Sequence, residues 1–146
     1  MIKRLLDLLR QGVTPEKIAT AIAAGAILGV FPVLGSTTLL CTGAAALLGL
    51  NLPLIQVVNA IVYPLQLILL IPMLQLGQRL FGQPPLPITM AKVAHMIETS
   101  IWNTITTLGA ATARAIVVWL LASWAIALLL YFGSVIPLRR MIRVKV

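Results

Sequence analysis

The sequence predicts an all-α integral membrane protein of one domain: a short helical hairpin, one kinked and one regular transmembrane helix, and interfacial helices. Three observations predict it. Residues 18–78 are 61 consecutive positions without Asp, Glu, Lys, Arg or His. A water-soluble domain turns charge outward every few residues, whereas hydrocarbon excludes it because desolvating an ion is costly. Of 146 residues 60% are hydrophobic and only 10% are charged, with mean hydropathy +1.06; ordinary soluble domains carry about 25% charged residues. The third observation is where the charge lies. Lys3, Arg4, Arg10 and Lys17 precede the apolar region, and Arg139, Arg140, Arg143 and Lys145 follow the last apolar segment. Basic clusters flanking apolar segments mark cytoplasmic ends, so the net charge of +8 implies no nucleic acid partner. The single Cys41 excludes an intrachain disulfide.

Residues 1–13 form a basic amphipathic N-terminal helix. Ile2, Leu5, Leu6 and Leu9 share one face, with Lys3, Arg4, Asp7 and Arg10 around the other. Such a helix suits an anionic leaflet, or packs on the protein itself. Residues 18–31 have the length of a signal-peptide core, but Asp7 and Glu16 dilute the positive region and apolar segments continue far beyond. The segment is expected to stay in the mature chain.

A single membrane domain covers residues 14–138, beginning with Thr14-Pro15, a cap followed by proline at the first helical position. Residues 14–50 make the hairpin. Its arms, 15–31 and 36–50, span about 25 and 22 Å at 1.5 Å per residue, short of a hydrocarbon core of about 30 Å. Ala21, Gly25 and Gly29 on one arm and Cys41, Ala45 and Gly49 on the other recur every fourth position, a spacing that lets helices approach closely. The two arms are expected to pack on each other, although the Gly25/Gly29 face serves a homo-oligomer equally well. The hairpin either re-enters on one side or makes two thin crossings.

After the turn at Asn51-Leu52-Pro53, a kinked helix over 53–76 contains Pro64 and Pro72. A loop and an interfacial helix fill 77–109, because Val93, Ile97, Ile101, Ile105 and Leu108 keep helical spacing while Lys92, Glu98, Thr99, Asn103 and Thr106 take the other faces. Residues 115–138 are 24 uncharged positions and form the regular transmembrane helix. Trp119 and Trp124 lie within it and Tyr131 near its basic end. Residues 139–146 make a basic cytoplasmic tail. Both termini then lie in the cytoplasm, which requires two crossings or four.

Catalysis is poorly provided for. The candidate acids and bases are Asp7, Glu16, Glu98 and His95. His95 and Glu98, three apart on one helix, make a solvated pair or a proton site, and metal binding needs more ligands. A non-enzymatic chain without cofactor or metal is expected. Two polar features remain inside the apolar region. In the turn Phe-Pro-Val-Leu-Gly-Ser-Thr-Thr, the residues Gly35, Ser36, Thr37 and Thr38 open the second arm, where free N–H groups and hydroxyls favour an anion; the bland account is an ordinary helix cap. Gln56, Asn59, Tyr63 and Gln66, at offsets 0, 3, 7 and 10, share one helix face. That stripe either lines a substrate path or holds helices together.

Thr14-Pro15 with Ile18-Ala19, Gly25 and Gly29, then Pro32-x-x-Gly35-x-x-Thr38-x-Leu40, Leu50-Asn51-x-Pro53, Asn59 and Gly77 form a combination that resembles the bacterial membrane-protein family known as domain of unknown function 2062. The resemblance covers residues 14–82. Many relatives carry Asn-Pro in the third segment; here Ala60 follows Asn59 and the proline stands at Pro64. The resemblance implies a small protein of the bacterial inner membrane and brings no established activity. The expected function is therefore taken from the breaks: handling or transport of a small or lipid-linked substrate through the broken-helix hairpin. The rival is a structural or accessory subunit for a partner membrane protein.

Overall fold

The structure, a computed structural model, describes residues 14–86 and 89–143. The basic helix expected over 1–13 and the end of the tail lie outside the described residues. Among these described residues five helices follow in order: α1 (Pro15–Gly29), α2 (Thr37–Leu48), α3 (Leu52–Leu80), α4 (Met90–Thr99) and α5 (Ile101–Arg143). No strand occurs among the described residues.

Local chemistry sets the helix ends. The Thr14 hydroxyl accepts from the Lys17 N–H at 3.3 Å, and Pro15 occupies the first turn of α1. Gly49 closes α2 with a left-handed φ of 60°, and its carbonyl accepts from Lys17 Nζ at 3.2 Å. A cation at a helix C-terminus complements the dipole. The Asn51 side chain then caps α3 by accepting from the Leu54 N–H at 2.9 Å.

Packing follows from the small residues. A Cβ on Gly25 would lie 2.8 Å from the Ile55 carbonyl oxygen, and one on Gly29 would meet Val62 and Asn59. These paired contacts run α1 and α3 side by side in the same direction, with α2 returning between their levels. Gly25 and Gly29 thus meet α3, not the α2 arm expected from the sequence, and that face is occupied within one chain. Of the small residues on the arms, Ala21, Cys41 and Ala45 do come together, closing a core around Ile55. Gly49 serves as the α2 cap. A second core joins Ile18 and Ala19 of α1 to Val135 and Leu138 of α5. α5 runs antiparallel to α1 and α3, and α4 packs on α5.

Two helices, Leu52–Leu80 and Ile101–Met141, are long and apolar enough to cross a membrane, and only 17% of each apolar window is buried. That low share separates them from the core helices of a soluble domain. Their outward faces carry Trp124 and Leu129, each 74% exposed.

Two boundaries differ from expectation. α3 continues through Pro64 and Pro72 as one 29-residue helix. Residues 101–114, expected in an interfacial helix and a gap, belong instead to α5, a helix of 43 residues or about 64 Å. Ser100, extended at φ −167°, separates α4 from α5, and its hydroxyl accepts from the Asn103 N–H at 3.3 Å. Beyond that cap nothing before Pro137 stops a helix. Thr104, Thr106 and Thr112 return their hydroxyls to carbonyls four residues back.

Glu16 and Arg139 meet at 2.8 Å where α1 begins and α5 ends. The Glu16 carboxyl is held below its usual 4.5, first by its own backbone N–H and then by the Arg139 guanidinium. Exposed pairs of this kind contribute little stability; this one marks helix ends that the Ile18–Leu138 core already brings together.

Candidate functional site

The tip between α1 and α2 is a tight, self-bonded turn. The Val33 N–H donates to the Phe31 carbonyl at 2.8 Å and the Ser36 N–H to Val33 at 3.4 Å. Gly35 adopts φ 84° with nothing near its Cβ position, so the backbone conformation is what calls for glycine there. Ser36 Oγ donates to the Val33 carbonyl at 2.8 Å and makes no cap bond to α2. Thr37 is buried and Thr38 is exposed. Of the four predicted tip residues, then, Ser36 turns its hydroxyl back into the turn.

The predicted stripe on α3 faces the hairpin. Gln56 Nε2 donates to the Thr38 carbonyl at 3.1 Å and to Thr42 Oγ1 at 3.0 Å. Asn59 Nδ2 donates to Gln56 Oε1 at 3.3 Å. Gln66 Nε2 donates to the Phe31 carbonyl at 2.7 Å. Tyr63, 46% exposed, takes no part in these bonds. Gln66 is the midpoint of Leu52–Leu80, so the hairpin tip sits halfway along α3.

Two acceptors within this interface have no partner among the described residues: Asn59 Oδ1 and Gln66 Oε1, on residues 7% and 1% exposed. A buried polar atom left unpaired costs about 1–3 kcal/mol. Both are uncharged oxygens, and α1 ends beside them with its C-terminal carbonyls. A hydrogen-bond donor or a water satisfies such atoms; an anion does not.

An apolar cavity of about 280 Å³ adjoins the tip between α1, α3 and α5, lined by residues that include Ile27, Val30, Val62, Met73, Trp119 and Ile126. Trp119 forms its wall and ties α5 to the hairpin. Its Nε1 donates to the Ile27 carbonyl at 3.0 Å, and its ring meets Phe31 edge-on at 4.9 Å. Sequence reasoning placed Trp119 in the regular helix without a role. The available signal was its indole N–H, which seeks a partner whenever it is buried in an apolar setting. Thr42 was also missed, because its role depends on α2 reaching back to Gln56.

His95 and Glu98 lie exposed on α4. No group of three or more potential metal ligands occurs among the described residues.

Comparison with curated proteins and with solved structures finds no match. A family model does match, over residues 1–146, well beyond the 14–82 that carry the motifs: the family described as an uncharacterized protein conserved in bacteria, domain of unknown function 2062. The chain belongs to that family.

Proposed function

We propose that this is a non-enzymatic protein of the bacterial inner membrane that handles a lipid-linked or similarly amphiphilic small molecule beside a re-entrant hairpin. α3 and α5 cross the bilayer, α1 and α2 dip into it from the cytoplasmic side, and both chain ends stay in the cytoplasm. The depth of the tip carries this reading. Phe31 is bound at the midpoint of α3, 15 residues or about 22 Å from Glu16, while α3 runs on to Arg79 and Leu80. Irregular backbone at that depth is tolerated where it is buried in protein or lines a cavity, and broken helices at mid-membrane are how transporters build substrate sites.

The apolar cavity suits an acyl or isoprenoid chain. The unpaired oxygens of Asn59 and Gln66 lie in the adjoining hairpin interface and not in the cavity lining, so the cavity itself selects for the apolar chain. The alternative, an accessory subunit whose breaks serve packing, is favoured by the direction of the stripe: Gln56 and Gln66 both donate to the hairpin. The path is therefore the cavity, and the stripe is what holds the hairpin in place. Its partners are the bilayer and, through the terminal Lys and Arg, anionic lipid.

Lipid co-purified with the protein in mild detergent and identified by mass spectrometry tests the reading. Ala122→Phe fills the cavity from α5. An amphiphile that accompanies the native protein and is lost from Ala122→Phe at equal protein yield is the expected result. If nothing but bulk lipid co-purifies, or if filling the cavity changes nothing, the accessory reading takes its place.

A further inference from the structure

At the far end of α3 from the hairpin, a second cavity of about 390 Å³ has a different character. Its lining includes Gln78, Gln83, Thr107 and Arg114 with the paired prolines Pro84 and Pro85. Gly77 makes it possible. A Cβ there would lie 2.9 Å from the Arg114 carbonyl carbon and 3.0 Å from the Ala115 nitrogen, so α3 and α5 touch backbone to backbone. That contact sets Gln78, 4% exposed, beneath Arg114, whose Nη1 donates to Gln78 Oε1 at 2.6 Å. The chain then folds over α5. The Gln83 N–H donates to the Gln78 carbonyl at 2.8 Å, and Gln75 Nε2 holds the Leu86 carbonyl at 3.1 Å.

Among the described residues, Arg114 is the only charged one in this lining. Glu16 is taken by Arg139 at the opposite end of the bundle, and among the described residues no carboxylate, Glu98 included, lines the cavity. A neutral amide therefore orients the guanidinium without cancelling its charge. Arginine offers five N–H donors in a planar fork, and the bond to Gln78 is its one hydrogen bond among the described residues. The Thr107 hydroxyl, which makes no hydrogen bond among them, and the Gln83 amide add donors. Arg114 also ends the uncharged run 115–138, which is where headgroups begin if α5 crosses a bilayer.

We propose that this cavity binds an oxyanion of the phosphate-ester class, held by Arg114 with Gln83 and Thr107. The ligand chemistry is shared by an anionic lipid headgroup and by soluble phosphate, and the site does not depend on what occupies the apolar cavity.

The test uses full-length protein in mild detergent, with two probes. Native mass spectrometry compares retention of phosphatidylglycerol with phosphatidylcholine, and phosphorus NMR follows line broadening of inorganic phosphate. Retention is expected to favour phosphatidylglycerol about tenfold, the size of one charge-assisted hydrogen bond. Arg114→Gln should lower the preference to the level that the terminal Lys and Arg sustain alone, and Arg79→Gln should leave it intact. Because Arg114→Gln also disturbs the Gln78 contact, Gln83→Glu supplies a second variant. It sets a carboxylate in the cavity while keeping the Arg114–Gln78 bond, and it should lower the preference to the same level. Phosphate broadening that both variants remove, with a lipid preference that neither changes, supports the site with a soluble ligand. A folded Gln83→Glu protein that retains lipid and broadens phosphate like the native chain overturns it.

Discussion

Gly25 shows how much a single hydrogen in place of a methyl group can decide. The atom that a Cβ would meet is the Ile55 carbonyl oxygen, 2.8 Å away, and a backbone atom inside α3 cannot swing aside. Gly25→Ala should therefore force α1 off α3 and cost about 1–3 kcal/mol, the usual range for overpacking. Gly43 is the control. It stands in the middle of α2 with nothing within 4 Å of its Cβ position, so Gly43→Ala should be neutral or gain roughly 0.5–1 kcal/mol from helix propensity. Unfolding midpoints in detergent with increasing SDS would measure both; equal effects would mean that Gly25 does not touch α3. The repeat of small residues in the sequence announced a close approach but not its partner. Spacing every four positions fixes a helix face, whereas the choice between α2 and α3 depends on where the chain returns.

At the scale of elements, the hairpin and α5 were legible to different degrees. The start of α1, the breaks at Pro32–Gly35 and Asn51–Pro53, and the polar face of α3 were all readable, because caps, turn residues and periodicity act over a few neighbours. The unity of α5 was not. Polar threonines and Asn103 suggested a change of environment near residue 109, but their hydroxyls satisfy themselves within the helix, and polarity does not break a helix as proline does. Nor could the sequence say which way the stripe turns, since glutamine serves equally as wall or as tie. Two of the three bonded stripe residues tie α3 directly to the hairpin. With the tip held at mid-helix, Ser36→Cys in a Cys41→Ala background should resist a membrane-impermeant maleimide added from either side. Ready labelling from the periplasmic side would mean that the hairpin crosses fully, and the cavity beside the tip would then open to water.

For the whole molecule, charge draws two levels. Glu16, Lys17, Arg139 and Arg140 gather where α1 begins and α5 ends, joined by the Glu16–Arg139 pair. Arg79 and Arg114 gather at the other end of α3, where Gly77 meets the α5 backbone. Along α5 the levels are 25 residues apart, or about 37 Å, which matches a hydrocarbon core of about 30 Å with part of each interface. α4 and the first turns of α5 then lie beyond the second level. In the proposed arrangement, four basic residues at each chain end against three spread over the middle put the first level on the cytoplasmic side. Cysteine labelling in intact cells with a permeabilised outer membrane tests the arrangement, again without Cys41. Gln83→Cys, beside the Arg114 level, should react with the impermeant reagent at once. Arg140→Cys should react only after the inner membrane is lysed. Reaction of both before lysis would contradict two charge levels separated by a bilayer. The reverse order would keep the levels but turn the protein over, placing the oxyanion site on the cytoplasmic face and the hairpin mouth outside.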